Sequence, residues 1–136
     1  MKAVTCPCGS GAPYASCCQP FHAGAEPPDA ERLMRSRFAA FALGDAAYLW
    51  RTLHADHDER PSGSEEALRK HLAAQRGEVV YRALEILEVV PPDADGAAQV
   101  VFHASIRARG RDASFTERST FVHDGVGWRY LCGEVA

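Results

Sequence analysis

The sequence predicts an α+β fold in which about three helices pack on one face of a curved, four-stranded antiparallel sheet. Three observations support this prediction. Apolar residues between positions 29 and 76 recur with the period of a helix, and from position 78 onward the period changes to two. The connections in the second half are short and rich in turn-forming residues, which favours antiparallel neighbours. A cysteine-rich segment with too few large apolar residues for a core precedes both halves.

The helical half is expected to begin at Asp29, whose side chain suits an N-cap, and its first helix should end before Gly44. One face of this helix carries an apolar stripe at positions i, i+4 and i+7, formed by Met34, Phe38 and Phe41. Asp45 can cap a second helix, and Ser64 can cap a third that covers residues 65–76.

The sheet half contains four predicted strands, at about residues 78–90, 97–109, 113–123 and 127–133. The second strand alternates most clearly. Its apolar face comprises Val100, Phe102, Ala104 and Ile106, and its polar face comprises His103, Ser105, Arg107 and Arg109. We therefore expect the apolar face to receive the helices.

The overall composition excludes several classes of protein. Charged residues make up 24% of the chain and the formal net charge is -3, so no strongly basic surface predicts a nucleic-acid partner. No apolar run approaches the roughly 18 residues of a membrane helix. The N-terminal residues lead directly to cysteine without an apolar signal region, so we expect a cytoplasmic protein. In that reducing compartment, clustered thiols are more typical of metal ligands than of disulfides.

Four of the five cysteines lie within thirteen residues, as the pairs Cys6/Cys8 and Cys17/Cys18. Zinc favours four thiolate ligands in a tetrahedron, and a closed shell of four cysteines is typical of a structural site. The turn Gly9-Ser10-Gly11 can bring the two pairs together and direct backbone N–H groups at the sulfur atoms. The pattern therefore predicts a structural zinc site.

Three alternatives to this zinc shell remain open from the residues alone. Two disulfides are disfavoured because adjacent cysteines rarely bridge and the compartment is predicted to be reducing. Reactive redox thiols are disfavoured because no C-x-x-C motif is present. His22, four residues after Cys18, can replace that cysteine as the fourth ligand, although a packing or capping role is favoured.

The order Cys6-x-Cys8-Gly9-Ser10-Gly11, then Tyr14, then Cys17-Cys18 resembles the SEC-C motif, a zinc-binding knuckle. Downstream segments resemble the bacterial YchJ family: Leu33 to Phe38, Gly44 to Leu49, Thr52 to His54 and Glu117 to Phe121. The resemblance implies zinc on the four cysteines of a knuckle at residues 1–24. It also implies a cone-shaped, nuclear-transport-factor-two-like (NTF2-like) domain at residues 25–136.

The knuckle departs from the SEC-C pattern at one functional point. Many SEC-C knuckles carry lysines around the tyrosine, where this sequence has Ala12, Pro13, Ala15 and Ser16. Without that positive patch, binding to phosphate groups or ribosomes loses its electrostatic basis.

The sheet also offers a candidate pocket. Glu117 shares a strand face with Phe115 and Phe121, so its carboxylate needs a partner if it is buried. Because cones of this fold often hold ligands, the candidate pocket set is Arg37, Trp50, His54, Glu117 and Tyr130. The alternative, which the residues favour, is a structural Arg37–Glu117 ion pair with Trp50 and Tyr130 in the core.

Two other groups of residues are expected to be ordinary. The loop His54-Ala55-Asp56-His57-Asp58 lacks the spacing of a known metal motif and is expected to be solvated surface. Cys132 alternates with Trp128 and Tyr130 on the last strand, which predicts a buried small hydrophobe.

The sequence thus favours a non-enzymatic zinc protein that acts as a protein-binding adaptor module, with no catalytic residue assigned. The alternative is a small-molecule binder or an enzyme that uses the cone, with Glu117 as a possible acid/base group.

Overall fold

A computed structural model describes residues 4–136. The helices are α1 (Gln19–His22), α2 (Ala30–Leu43), α3 (Ala46–Arg51) and α4 (Glu65–Gln75), preceded by a 3₁₀ turn at Tyr14–Ser16. The strands are β1 (Val79–Val90), β2 (Ala97–Ala108), β3 (Arg111–Asp112), β4 (Phe115–His123) and β5 (Trp128–Val135). The predicted α+β class, with its helices before its antiparallel sheet, is confirmed.

The three main helices begin at the predicted caps. The side chains of Asp29, Asp45 and Ser64 accept hydrogen bonds from backbone N–H groups in the first turns of α2, α3 and α4. Gly44 ends α2 with a φ of 74°, a left-handed conformation that glycine adopts without strain. Local sequence therefore determines where these helices start and where α2 stops.

The sheet has the strand order β1-β2-β4-β5, and every pairing is antiparallel. A fifth strand, β3, was not predicted; its two residues pair with the end of β2. It arises because Arg109 and Gly110 both take positive φ angles, 53° and 76°, and form a tight turn that brings Arg111 opposite Ala108. The edge of β5 is covered by residues 52–54, since Leu53 forms a parallel bridge with Tyr130.

The core lies between α2 and the inner face of the sheet. Met34 and Phe38 of α2 pack on β2 residues of the predicted apolar face, which are all buried: Val100, Phe102, Ala104 and Ile106. The apolar face of α2 and the apolar face of β2, both predicted from the sequence, therefore pack against each other. In residues 4–136, no helix is both long enough and apolar enough to cross a membrane.

The cysteine-rich segment rests on α2 and on β1. Ala39 of α2 packs within the cysteine cluster, and Arg35 Nη1 donates a hydrogen bond of 3.3 Å to the backbone oxygen of Cys8. A side chain at Gly9 would lie 3.4 Å from the backbone oxygen of Leu84 in β1, so the knuckle approaches that strand closely. Glu26, in the segment between α1 and α2, forms an ion pair with Arg129 of β5 at 2.8 Å and ties this segment to the sheet.

Candidate metal centre and cone cavity

The sulfur atoms of Cys6, Cys8, Cys17 and Cys18 all lie within 4.8 Å of one another. The Cys8–Cys17 pair is separated by 3.6 Å and the Cys17–Cys18 pair by 4.0 Å. A regular tetrahedron with metal–sulfur bonds of about 2.3 Å has edges of roughly 3.8 Å. The four cysteines therefore have the spacing needed to hold a single metal ion.

Local backbone structure brings the two cysteine pairs together. Cys6 N–H donates to the oxygen of Ala12 at 2.9 Å, which closes the loop between the pairs. Gly9 and Gly11, inside this loop, take φ angles of 81° and 84° that other residues rarely adopt. The 3₁₀ turn Tyr14–Ser16 leads directly into the second pair, in which Cys17 follows the turn and Cys18 is the N-cap residue of α1.

Electrostatics in the cluster also suit a cation. A hydrogen bond from Cys18 lowers the pKa of Cys8 to about 4, whereas that same bond, together with burial, raises the pKa of Cys18. Burial also raises the pKa of Cys6. Several thiolates cannot share this buried space without a compensating charge, which a divalent ion supplies. The hydroxyl of Ser10 lies 3.1 Å from the sulfur of Cys17 and can support its negative charge.

His22 lies outside this shell, because both of its ring nitrogens are used elsewhere. Nε2 lies 2.8 Å from the carbonyl oxygen of Ser36, which can only accept, so Nε2 carries the proton. Nδ1 is then the acceptor of the Tyr14 hydroxyl at 2.7 Å. The predicted packing role of His22 is confirmed, and its side chain fastens the knuckle to α2.

His22 also connects the knuckle to α3. The His22 ring packs on that of Tyr48, with centroids 4.7 Å apart. The hydroxyls of Tyr48 and Ser36 lie 2.6 Å apart in the interior, and burial raises the pKa of Tyr48 to about 12. The knuckle, α2 and α3 therefore share one continuous polar network within an apolar interface.

A cavity of about 280 Å³ lies between α2 and the sheet, inside the cone. Its wall is mostly apolar and includes Met34, Phe38, Phe102 and Phe115. Its polar part is formed by Arg37, Glu117, Ser119 and Tyr130. The structure thus brings three residues of the predicted pocket set, namely Arg37, Glu117 and Tyr130, to one cavity.

Glu117 is held through only one of its carboxylate oxygens. Ser119 Oγ donates to Oε2 at 2.5 Å, and the Tyr130 hydroxyl donates to the same oxygen at 3.2 Å. The other oxygen, Oε1, has no hydrogen-bond partner in residues 4–136. Gly133 makes room for this arrangement, because a Cβ there would overlap Glu117 Oε2 and lie 2.6 Å from the Tyr130 hydroxyl oxygen.

Arg37 is buried, with 6% of its surface exposed, and burial lowers its pKa to about 10. Its Nη1 donates to the backbone oxygen of Leu49 at 2.9 Å and to Thr52 Oγ1 at 2.7 Å. Within residues 4–136, no carboxylate lies within ion-pair distance of this guanidinium. The expected Arg37–Glu117 ion pair is therefore absent. The Arg37 guanidinium carbon instead lies over the Tyr130 ring, 4.9 Å from the ring centroid.

Trp50 and His54 lie outside the cone cavity. Trp50 lines a second groove of about 340 Å³, and the guanidinium of Arg60 stacks on its ring at 4.5 Å. The backbone N–H of His54 donates to the backbone carbonyl oxygen of Tyr130 at 2.9 Å, so this residue helps to cover the edge of β5. In the part of the chain that the structure describes, Asp56 and its neighbours do not form a cluster with metal-ligand spacing.

The prediction of a buried Cys132 is wrong, since this cysteine is exposed. The pairing register of β4 and β5 shifts between Thr120 and Phe121, so that Tyr130 faces Phe121 whereas Cys132 faces Thr120. The extra residue, Leu131, reverses the alternation and turns Cys132 to the outer face.

Sequence reasoning missed two residues that position the Glu117 carboxylate. Ser119 lies on the same face of β4 as Glu117 but was not assigned to the site. A hydroxyl two residues from a carboxylate on one strand face can donate a hydrogen bond to that carboxylate. Gly133 was missed as well. A glycine inside a strand often marks a close approach, and that signal was present in the sequence.

The geometry defines a class of protein: an NTF2-like α+β domain to which a knuckle of four cysteines is attached. The model of the family described as the YchJ middle NTF2-like domain matches residues 29–133, and the model of the SEC-C motif matches residues 5–20. The chain therefore belongs to the YchJ family and carries a SEC-C motif at its N-terminal end.

Solved structures agree with this assignment. A SEC-C motif containing protein from Rhodopseudomonas palustris is 29% identical, covers 99% of each chain and has a TM-score of 0.78. Another from Psychrobacter arcticus is 26% identical, with 97% of this chain and 82% of that chain covered and a TM-score of 0.76. A ketosteroid isomerase-like protein from Erwinia carotovora atroseptica, 20% identical over 77% of this chain and 92% of that one, has a TM-score of 0.53 and shares the fold alone.

Proposed function

We propose that Cys6, Cys8, Cys17 and Cys18 bind one zinc ion whose role is structural. The convergence of four sulfur atoms within 4.8 Å is the observation that carries this proposal. Soft thiolate donors at tetrahedral spacing favour zinc over hard ions such as magnesium or calcium. Four protein ligands leave no open position for a substrate, so the ion fixes the chain and does not catalyse.

The ion would stabilise a segment that cannot fold by itself. The knuckle contains few large apolar residues, and its main buried side chains are the cysteines themselves. With the metal in place, the loop presents His22 and the Cys8 carbonyl to α2, where both make hydrogen bonds. Metal binding and the docking of the knuckle are therefore coupled.

Metal analysis of protein purified without added metal tests this proposal. About one zinc per chain is expected, and Cys8→Ser should reduce it sharply. Cys132→Ser is the matched control. Because Cys132 is exposed and lies outside the cluster, this substitution should leave the zinc content unchanged. A metal-free protein in which the four clustered thiols react freely with a thiol reagent would overturn the proposal.

At the level of the whole protein, the role that we propose is a cytoplasmic, non-enzymatic adaptor whose knuckle docks on a partner protein. Supporting this, the outer part of the knuckle is exposed and uncharged, and its exposed residues include Gly9, Ser10, Gly11, Ala15 and Ser16. A rigid surface without a strong positive electrostatic potential fits a protein partner better than a nucleic acid.

Matched arginine substitutions at two exposed alanines test the adaptor role. Ala15→Arg, on the knuckle, should abolish binding of a purified partner, whereas Ala74→Arg, on the exposed side of α4, should leave its Kd unchanged. Both variants must retain zinc and the wild-type unfolding midpoint. Equal partner binding by the two variants would contradict the adaptor role.

A second candidate function is small-molecule binding in the cone, and the cavity of about 280 Å³ supports it. This volume is near the lower end of ligand pockets, which span roughly 300–1,000 Å³. A thermal-shift screen of the wild type and of Glu117→Gln tests this candidate. If no compound raises the unfolding midpoint of the wild type more than that of the variant, the result argues against small-molecule binding in the cone.

A further inference from the structure

We propose that the cone cavity binds a small zwitterion with an apolar body, namely an α-amino acid with an apolar side chain. Its carboxylate would bind Arg37 and its ammonium group would bind Glu117. This inference rests on the second candidate function and specifies the chemistry of its ligand.

Arg37 is the group that we expect to bind the ligand carboxylate. The residue is more than nine-tenths buried, and within the described residues its two hydrogen bonds both come from Nη1. Arg37 lines both the cone cavity and the groove beside Trp50. A buried cation without a counter-ion is costly, and the planar donor pair formed by Nε and Nη2 matches a carboxylate.

Glu117 is the group that we expect to bind the ligand ammonium. Two hydroxyl donors converge on Oε2, and they hold the carboxylate in one orientation. Oε1 has no protein donor among residues 4–136, and the side chain lines the cavity. A ligand ammonium group can therefore donate to Oε1 without displacing either Ser119 or Tyr130.

The sign of the charges narrows the ligand class. A fatty acid would satisfy Arg37 but place a second negative charge in the space that Glu117 borders. A simple amine would satisfy Glu117 but bring a second positive charge towards Arg37. A zwitterion satisfies both groups and adds no net charge to a buried site, where an unpaired charge is expensive.

The apolar wall accounts for the rest of the ligand. Phe38, Phe102 and Phe115 line the cavity and offer an apolar surface to a branched or aromatic side chain. Since the volume is only about 280 Å³, a free amino acid fits better than a peptide, whose charged ends also lie further apart.

Calorimetric titration of the zinc-loaded protein tests the proposal with four probes. L-Leucine and L-phenylalanine are the candidate ligands, 4-methylpentanoic acid lacks the ammonium group, and 3-methylbutylamine lacks the carboxylate. We expect at least one amino acid to bind about tenfold or more tightly than either comparator, since each loses a charge-assisted contact. Amide NMR shifts should map the bound amino acid to Phe102, Glu117 and Tyr130.

Variants link the binding to the two charged groups. Glu117→Gln, an isosteric change, should weaken the binding of the amino acid about tenfold and leave that of 4-methylpentanoic acid equal or stronger. Arg37→Lys keeps the charge but loses the planar donor pair and should also weaken amino-acid binding. Glu134→Gln is the control, because Glu134 is exposed and does not line the cavity.

The outcomes separate this inference from the function on which it depends. If a comparator binds in the cavity as tightly as the amino acids, the cone is a ligand site but the zwitterion inference is wrong. If none of the four probes binds, the inference is wrong and the second candidate function also loses support.

Discussion

The hydroxyl group of Tyr130 lies 3.2 Å from Glu117 Oε2 and donates a hydrogen bond to it. Burial raises the pKa of Tyr130, and the Glu117 carboxylate raises it further, so the hydroxyl keeps its proton and remains a donor at neutral pH. The same ring lies against the Arg37 guanidinium at 4.9 Å. One tyrosine therefore links the buried cation of α2 to the carboxylate of β4.

Tyr130→Phe should lower the free energy of unfolding by about 1–3 kcal/mol, because it removes one of the two donors to a charged carboxylate. Urea unfolding followed by circular dichroism measures the change. Tyr81→Phe is the matched control: this tyrosine also lines the cavity, but its hydroxyl makes no hydrogen bond within residues 4–136. Equal losses in the two variants would show that the Tyr130–Glu117 contact does not stabilise the fold.

Gly133→Ala should destabilise the protein by about 1–3 kcal/mol, since the new methyl group overlaps the Glu117 carboxylate and the Tyr130 hydroxyl. Adding Glu117→Ala should recover part of this loss, because it removes one of the overlapping groups. Cys132→Ala, at the neighbouring exposed position, should change the unfolding free energy by less than about 0.5 kcal/mol. Additive losses in the double variant would contradict the proposed overlap.

The free energy of unfolding should depend on pH in the acid range through Glu26, which lies between α1 and α2. A hydrogen bond from Arg129 lowers the pKa of Glu26 below 4.5, with Arg51 adding to the effect. A lowered carboxyl pKa contributes stability above the unfolded-state pKa, and that stability is lost as the pH falls through the folded-state pKa.

Unfolding free energies at pH 7 and pH 3.5 check this dependence. The wild type should lose more stability between these pH values than Glu26→Gln, which cannot titrate at this position. Loss of metal at low pH affects both proteins alike, so the difference between them isolates the carboxylate. Identical losses would contradict the role given to the Glu26–Arg129 pair.

His22→Gln should loosen the knuckle without removing its metal. The substitution disturbs the hydrogen bonds to Tyr14 and to the Ser36 carbonyl but leaves the four sulfur atoms in place. Hydrogen exchange should accelerate in α1 and at the knuckle, while the zinc content stays at about one per chain. His71→Gln, on the exposed side of α4, serves as the control. Loss of zinc from His22→Gln alone would mean that His22 is a ligand.

Local patterns predicted much of this fold. The caps at Asp29 and Ser64 act within one turn of the chain, and the alternation of Val100 to Ile106 depends only on the pleat of one strand. The four cysteines of the knuckle lie within thirteen residues, and so short a stretch of chain with two glycines in its turn keeps them close in space.

What the sequence could not predict depends on residues far apart along the chain. The register shift beside Leu131 is decided by pairing between β4 and β5, so the exposure of Cys132 was predicted incorrectly. The stacking of Arg37 on the Tyr130 ring, in place of the expected ion pair with Glu117, depends on how α2 packs against β5. The position of Gly9 beside Leu84 likewise reflects tertiary packing.

X-ray absorption at the zinc edge of the purified protein tests the central claim most directly. We expect one zinc per chain with four sulfur neighbours at about 2.3 Å and no nitrogen or oxygen neighbour. A spectrum that requires a nitrogen or oxygen ligand would contradict the closed shell formed by Cys6, Cys8, Cys17 and Cys18.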